Sequence, residues 1–244
     1  MGKFCTKCGK DLSETNGFCE NCDTIQESPK FSNNGVINRA AIKEEAKKRL
    51  TGNLWTIWKP ILVIYAITFA FSSLLTFLVN DGSSLYALLN LAFEIAILPM
   101  SIGLILYMLK FIRKSDVEIN DLFAFYDKRF LLILSVTILV GIFTALWSLL
   151  LIIPGIIAAL SYSMVNYIIA DNKKNDTMAV IKESKRMMYG YKADYFVFNL
   201  SFLGWIFLCI FIVPLIYVIP YMSVSQALYY EELRTIKEKD VNNK

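Results

Sequence analysis

Four cysteines near the start of the chain have the spacing of metal ligands. Cys5 and Cys8 form one C-x-x-C pair, Cys19 and Cys22 form a second, and ten residues separate the two pairs. Two thiolates at i and i+3 on a tight turn can bind one cation, and two such turns complete a tetrahedron around Zn²⁺. Four protein ligands leave no open position for a substrate, so the spacing predicts a structural zinc and not a catalytic one.

Two disulfides are the alternative for the same cysteines, but disulfides need an oxidising compartment. The distribution of Lys and Arg along the chain, described next, predicts that this segment lies in the reducing cytoplasm, which favours zinc. So short a segment cannot fold by burial alone, so the metal would supply its folding free energy. The segment from about Lys3 to Asp23 resembles the minimal zinc ribbon at the N-termini of many bacterial membrane proteins, although Asp23 stands where such ribbons commonly have Gly. Cys209, in an apolar run, is predicted to be a small buried hydrophobic residue.

The cations of the chain are confined to four blocks. All 25 Lys and Arg residues lie at 3–59, 110–129, 173–192 and 234–244, and each apolar stretch between them is long enough to cross a bilayer twice. A chain that crosses and returns between blocks keeps every cation on one side, which is the positive-inside pattern. The composition, 56% hydrophobic and 19% charged, agrees with a membrane protein. We therefore predict a multi-pass protein of the bacterial cell membrane with both termini in the cytoplasm.

The predicted fold is an all-α polytopic membrane domain of six transmembrane helices. Since roughly 20 residues cross the hydrocarbon core, the predicted spans are Ile61–Val79, Leu85–Leu109, Phe130–Leu150, Ile153–Ala170, Tyr195–Ile212 and Pro214–Glu231. The alternative is four longer helices with kinks at Pro154 and Pro214, but the stretch 130–170 has about twice the length of one crossing. The predicted segments are a zinc ribbon at 1–23, a flexible linker at 24–37, the membrane domain at 38–233 and a cytoplasmic tail at 234–244.

A repeated unit favours six spans over four. An amphipathic segment precedes each outward span, at 38–52, 115–126 and 176–190. The first and third have the same cap-to-glycine spacing of 14, and the second opens with a capping-box pattern at 115–118. Helices with one apolar face and cations opposite lie in the membrane interface. Each return span also contains a proline directly after an aliphatic residue, at Pro99, Pro154 and Pro220. The same unit is thus used three times, which predicts a pseudo-threefold bundle.

The sequence contains little that could do enzyme chemistry. Histidine is absent from all 244 residues, which excludes Ser-His-Asp and Cys-His catalysis and the usual proton shuttle at neutral pH. No nucleophile elbow, phosphate-binding loop or dinucleotide fingerprint is present. We therefore predict that the chain is not an enzyme. The net charge of +4 is assigned to contact with anionic lipid headgroups, and no nucleic-acid partner is expected.

Polar residues inside the predicted spans are the remaining candidates for a site. Glu94 lies well within the second span, where a charged carboxylate costs about 3 kcal/mol, so we expect it to face the bundle interior. The residues grouped with it as a candidate intramembrane site are Asn166, Asn199, Tyr217 and Tyr221. Interhelical hydrogen bonding is the alternative role for all of them. One face of the fourth span carries small residues at i, i+4 and i+8, which favours close helix packing: Gly155, Ala159 and Ser163.

Several motifs in the second half of the chain carry a family resemblance. They are the Trp147–Met164 span with Pro154-Gly155, the Ala170-Asp171-Asn172 turn, and the Ala-x(4)-Ser-x(5)-Gly helix from Ala179 to Gly190. The chain resembles, over about 38–233, a bacterial multi-pass family described only as a domain of unknown function. A weaker likeness, in the Pro-Gly span and that helix, is to the membrane domain of some glycerophosphoryl diester phosphodiesterases. The resemblance implies a membrane fold but no activity, and Lys173 stands where relatives often have Pro.

Two classes of function agree with these features. In the first, the chain is a non-enzymatic regulatory or scaffolding protein whose interfacial helices bind anionic lipid while the zinc ribbon docks a cytoplasmic protein partner. In the second, it is a transporter or channel for a small or lipidic solute, lined by the intramembrane polar residues around Glu94. Because no energy-coupling motif is present, the sequence favours the first class.

Overall fold

The computed structural model describes residues 35–79, 82–126, 129–171, 174–208 and 212–242, and short strands before them. The chain divides into two compact units, Met1–Asn38 and Arg39–Lys244. The first unit contains two antiparallel strand pairs, in which β1 (Phe18–Cys19) pairs with β2 (Thr24–Ile25) and β3 (Ser32–Asn33) pairs with β4 (Val36–Ile37). Three of these strands fall in the segment predicted as a linker, and the predicted segment boundaries stay predictions.

The second unit is helical. Its α-helices are α1 (Arg39–Leu50), α2 (Leu54–Leu78), α3 (Ser84–Ile112), α4 (Phe130–Leu150), α5 (Ile152–Tyr162), α6 (Val165–Ala170), α7 (Thr177–Met188), α8 (Lys192–Leu200), α9 (Leu203–Leu208) and α10 (Ile212–Asn242). A 3₁₀ turn at Ile119–Phe123 lies between α3 and α4 and packs on α3.

Four helical segments of the described chain are long and apolar enough to cross a membrane. They are Leu54–Leu78, Ser84–Ile112, Phe130–Leu149 and Ile152–Ala170, and they coincide with the first four predicted spans. Within an apolar 18-residue stretch of each segment, only 11% of the residues are buried in the first and third segments, against 44% and 50% in the second and fourth. So much uncovered apolar surface is typical of helices that contact lipid.

The last two predicted spans differ from the structure. The stretch predicted to hold the fifth span is divided between α8 and α9, with a turn at 201–202. The predicted sixth span lies within α10, a 31-residue helix that continues through most of the predicted tail. Neither proline stops this helix. Pro214 lies in the first turn, where its missing N–H would have had no helical partner, and the carbonyl freed by Pro220 is bound by a side chain from another helix.

That side chain is Trp58 of α2. Proline has no N–H, so Pro220 leaves the carbonyl of Ile216 without its helical donor. The indole Nε1–H of Trp58 donates to this carbonyl at 2.7 Å. The exchange keeps α10 continuous and attaches the start of α2 to it.

Pro60 in α2 is accommodated in the same way. It frees the carbonyl of Thr56, and the hydroxyl of Tyr107 in α3 donates to that oxygen at 2.9 Å. The carbonyls freed by two prolines are thus satisfied by aromatic donors from neighbouring helices, which join α2 to α3 and to α10.

Helix α10 lies at the centre of the helical unit and contacts α1, α2, α3, α7 and α9. Its tyrosines Tyr221, Tyr229 and Tyr230 are fully buried. The ring of Tyr230 stacks on Tyr167 of α6 at 5.0 Å, and that of Tyr229 lies 4.9 Å from Tyr195 of α8. Aromatic pairs at these separations contribute packing energy beyond their buried area.

The interfacial segments before the first and fifth predicted spans form helices as expected. Helix α1 begins directly after Asn38, and α7 is capped by Asp176, whose carboxylate accepts from the backbone N–H of Ala179 at 2.8 Å. The predicted stop residues Gly52 and Gly190 have φ of +82° and +86°, the left-handed conformation that ends helices.

The capping box predicted at 115–118 is wrong in register. Residues 115–118 are not helical, and the box forms one turn later, where Glu118 caps the 3₁₀ turn and Asp121 accepts from the Glu118 N–H at 3.1 Å. Asp121 also forms an ion pair with Lys110 of α3 at 2.5 Å. The ion pair with Lys110 holds Asp121 in place as the acid of the capping box, the role that the prediction gave to Glu118.

Helix α3 approaches the 3₁₀ turn too closely for a side chain at Gly103. A Cβ there would lie 2.3 Å from the Leu122 carbonyl oxygen and 2.6 Å from the Leu122 Cα. Because backbone atoms cannot move aside as a side-chain tip can, Gly103→Ala is expected to lower the free energy of unfolding by about 1–3 kcal/mol. The thermal midpoint of the purified protein measures this. Gly141→Ala, whose Cβ would meet nothing within 4 Å, is the matched control. Equal midpoints for the two variants would contradict the close approach.

Candidate functional site

A partly buried ion network joins the ends of three helices. Arg113 follows α3, and its guanidinium Nη1 donates to Asp171 Oδ1 at 2.8 Å. Its Nη2 and Nε both donate to Glu231 Oε2 of α10, at 2.8 and 3.2 Å. The side chain of Asp171, which ends α6, is only 6% exposed. Arg113 thus holds two carboxylates from distant parts of the chain at one point.

Asp171 accepts from two further side chains. Arg234 Nη1 lies 3.3 Å from its Oδ2, and the Tyr230 hydroxyl donates to the same oxygen at 3.2 Å. Arg234 also contacts Glu231 Oε1 at 3.1 Å. Two arginines and two carboxylates make the network formally neutral, so its main role is to fix the helix ends.

The electrostatics of Arg113 favour its charged form. Burial opposes the charge, but the hydrogen bonds and attraction of Asp171 and Glu231 outweigh burial and raise the pKa of Arg113. A guanidinium paired in this way stays charged at any physiological pH.

A cleft of about 330 Å³ opens beside this network. Four cationic side chains and two carboxylates line it together with Ile168, Met187 and Tyr230; the charged residues are Lys174, Arg186, Arg234, Lys237, Glu183 and Glu238. Ligand clefts have volumes of roughly 300–1,000 Å³. The excess of two cations makes this a candidate anion site.

The cations of the cleft differ in how far they are already paired. Arg186 binds Glu183 of its own helix α7 through two hydrogen bonds, of 2.9 and 2.6 Å, and these contacts raise its pKa. Lys237 donates to the Tyr189 carbonyl at 3.1 Å. Within the described residues, Lys174 has no hydrogen-bond or ion-pair partner. An anion entering the cleft would therefore meet one lysine that forms no hydrogen bond or ion pair with the described residues.

The cations of α1 have a different use. Lys43 Nζ lies 4.3 Å from the centre of the Phe202 ring and donates to the backbone carbonyl of Ser201 at 3.3 Å. Burial, with the nearby charges of Lys47 and Arg39, lowers the pKa of Lys43. Lys47 lies over the Trp205 ring at 5.8 Å. These cation–π contacts attach α1 to the bundle.

The expectation that Glu94 faces the bundle interior is wrong for the single chain. Its side chain is exposed, and none of residues 84–98 of α3 is buried. Asn166 is exposed as well, on α6. Within the described chain, neither residue forms a hydrogen bond with another member of the predicted intramembrane site.

The remaining members of that predicted site make local contacts. Asn199 of α8 accepts from Gln226 of α10 at 3.2 Å and donates to the Tyr195 carbonyl at 2.8 Å. The rings of Tyr217 and Tyr221 stack at 5.8 Å along α10. One interhelical hydrogen bond and contacts within single helices therefore account for these residues.

Of the predicted packing residues, Gly155 packs closely while Ala159 is exposed. A Cβ on Gly155 would lie 2.3 Å from the Ser148 hydroxyl oxygen and 2.9 Å from its Cα, so α4 and α5 pack tightly there. The buried face of α5 continues through Ala158 and Tyr162, at i+3 and i+7, and Ser163 is half-buried after the helix ends. The i, i+4, i+8 pattern is thus wrong beyond its first residue, because the buried face of α5 runs through i+3 and i+7 instead.

The predicted zinc ligands Cys5, Cys8 and Cys22 lie outside the described residues. Cys19 is the last residue of β1, where it pairs with Thr24. In the described part of the chain no group of three or more Cys, Asp or Glu residues could hold a metal ion. The zinc site therefore stays a prediction.

The ion network itself was missed from sequence. Its residues stand at or near the ends of predicted spans, where both arginines and acids occur: Arg113, Asp171, Glu231 and Arg234. Opposite charges near the span ends were the available signal, whereas the cations taken alone indicate contact with lipid headgroups.

Comparison with known proteins identifies a family. The model of a family described as a protein of unknown function, DUF975, matches residues 37–159 and 149–237, which together include nearly all of the helical unit. Residues 1–36 lie outside both matches. No curated protein and no solved structure matches the chain. The predicted resemblance to a family of unknown function is confirmed, whereas the weaker likeness to the phosphodiesterase membrane domain stays a prediction.

Proposed function

Since the chain belongs to the DUF975 family, whose description assigns no activity, we propose from its own residues that it is a non-enzymatic membrane protein that binds anionic lipid headgroups at its cytoplasmic end. The cationic cleft between α6, α7 and α10 is the observation that carries this proposal. Lys and Arg side chains donate hydrogen bonds to phosphate oxygens, and two positive charges in excess favour an anion.

The cleft lies at the end of the bundle where the cation-bearing segments meet. The Arg49 guanidinium donates to the Ile112 carbonyl at the end of α3, and Arg129 donates to the Ile169 carbonyl of α6 at 3.3 Å. The ion network around Arg113 joins these same helix ends to α10. A common location for the cations supports six crossings with both termini in the cytoplasm.

Apolar side chains in the cleft favour a lipid over a free phosphate. Ile168 and Met187 line the same space as the cations. A phospholipid offers an anionic headgroup together with an apolar glyceride portion, and so matches both parts of the lining. In this proposal the N-terminal cysteines hold a structural zinc, and the zinc ribbon docks a cytoplasmic protein partner.

A transport function gains no support, because Glu94 and Asn166 are exposed and form no hydrogen bond with Asn199 or the tyrosines within the described chain.

Binding of fluorescent phosphatidylglycerol and phosphatidylcholine to the purified full-length protein tests the proposal. The triple variant Lys174→Gln/Arg186→Gln/Lys237→Gln is expected to bind phosphatidylglycerol about 100-fold more weakly, at roughly 1 kcal/mol for each cation near the surface. The wild-type affinity is expected to fall with added salt.

The matched control is Lys48→Gln/Lys182→Gln/Lys239→Gln, which removes the same charge from exposed positions outside the cleft. Glycerol phosphate as a competitor distinguishes headgroup binding from lipid binding. It should displace the fluorescent lipid only weakly if the cleft also binds the apolar part of the lipid. Equal affinity for the two lipids, or equal losses in the two triple variants, would overturn the proposal.

A further inference from the structure

Two polar side chains on α3 have no partner within the described chain. Asn90 and Glu94 are both exposed, and neither forms a hydrogen bond or ion pair with any described residue. They stand one helical turn apart and therefore on the same face. Ser101, further along this face, is satisfied by the Leu98 carbonyl at 2.7 Å, so the unmet polar groups are confined to Asn90 and Glu94.

These side chains lie away from both ends of α3. Glu94 is about 15 Å from the start of α3 at a rise of 1.5 Å per residue, which is near the middle of a hydrocarbon core about 30 Å thick. Carboxylates at this depth almost always face protein or a water-filled cavity. Helix α2 contacts α3 on another face, where the rings of Phe71 and Phe93 stack at 3.9 Å. The described chain thus leaves the face of Asn90 and Glu94 uncovered.

We propose that this face of α3 is the interface of a homodimer, in which the Asn90 amide of each copy donates to the Glu94 carboxyl of the other. A two-fold axis along the membrane normal places the same patch of both copies at the same depth. The patch is self-complementary, because it contains both an amide donor and a carboxyl acceptor. Ala87 and Leu91 are exposed on the same face and would pack beside the polar pair. Small residues such as Ala allow helices to approach closely.

This inference requires that α3 crosses the membrane, as in the proposed function, but not that the cleft binds lipid. Full-length copies labelled with donor and acceptor dyes, mixed and reconstituted into phosphatidylcholine vesicles, provide the test. Wild-type copies are expected to show energy transfer that persists when the lipid-to-protein ratio is raised tenfold. Asn90→Leu/Glu94→Leu is expected to reduce transfer to the level of random encounters.

Two controls separate dimer loss from misfolding. Glu94→Gln keeps an acceptor and should retain most of the transfer, and Ser73→Leu replaces an exposed polar residue of α2 and should retain all of it. The thermal midpoint of the double variant in detergent should match that of monomeric wild type, because neither residue has a partner among the described residues of its own chain. Random-level transfer in wild type would overturn the inference, as would undiminished transfer in the double variant.

Discussion

Replacing Arg113 by Met is expected to lower the free energy of unfolding by about 3–5 kcal/mol, the cost of leaving a buried charge without its partner. Asp171 and Glu231 would then lose their shared cation but keep their contacts with Arg234. Chemical denaturation of the purified protein, followed by tryptophan fluorescence, measures the change.

Arg186→Met is the matched control for this prediction. Arg186 pairs with Glu183 within the same helix and its side chain is 45% exposed, so its loss should cost no more than about 0.5 kcal/mol. The triple change Arg113→Met/Asp171→Leu/Glu231→Met, which removes the unpaired acids as well, should regain part of the stability. Similar costs for Arg113→Met and Arg186→Met would show that the network does not hold the helix ends together.

The second large effect is expected at the N-terminal cysteines. Cys19→Ser should abolish the binding of one zinc per chain, because a tetrahedral site with three thiolates loses most of its affinity. Metal-coupled folding contributes about 10–16 kcal/mol in small zinc modules, so the first unit should unfold while the helical unit remains folded. The two compact units of the chain make this separation expected.

Elemental analysis of the purified protein, combined with circular dichroism of the helices, measures both results. Cys209→Ser removes a thiol from the apolar run and should leave the zinc content unchanged. Retention of zinc by Cys19→Ser would rule out the four-cysteine site.

Features set by local sequence were predictable. The cap at Asp176 and the stops at Gly52 and Gly190 depend only on side chains and φ angles within one turn, and they agree with the structure. The first four spans agree for the same reason, since length and hydropathy are properties of the segment alone.

Features that depend on distant contacts were not predictable. The neighbours of α3 decide which face of this helix is buried. The predicted orientation of Glu94 was wrong for that reason. The continuity of α10 across Pro220 depends on Trp58, which is 158 positions away from Ile216.

The ion network shows the same limit at the candidate site. Arg113 meets Asp171 and Glu231 across separations of 58 and 118 residues. Cation blocks indicate the side of the membrane on which such residues lie, but they do not indicate which acid each arginine binds.

The proposed location of the charged helix ends on the cytoplasmic side is tested most directly by topology reporters fused within the full-length protein. Fusions at Lys114, Asn175 and Lys244 are expected to report a cytoplasmic location, and a fusion at Gly82, between α2 and α3, is expected to report an external one. The cation blocks and the shared end of the bundle both require this pattern. A fusion at Lys114 that reports an external location would contradict it.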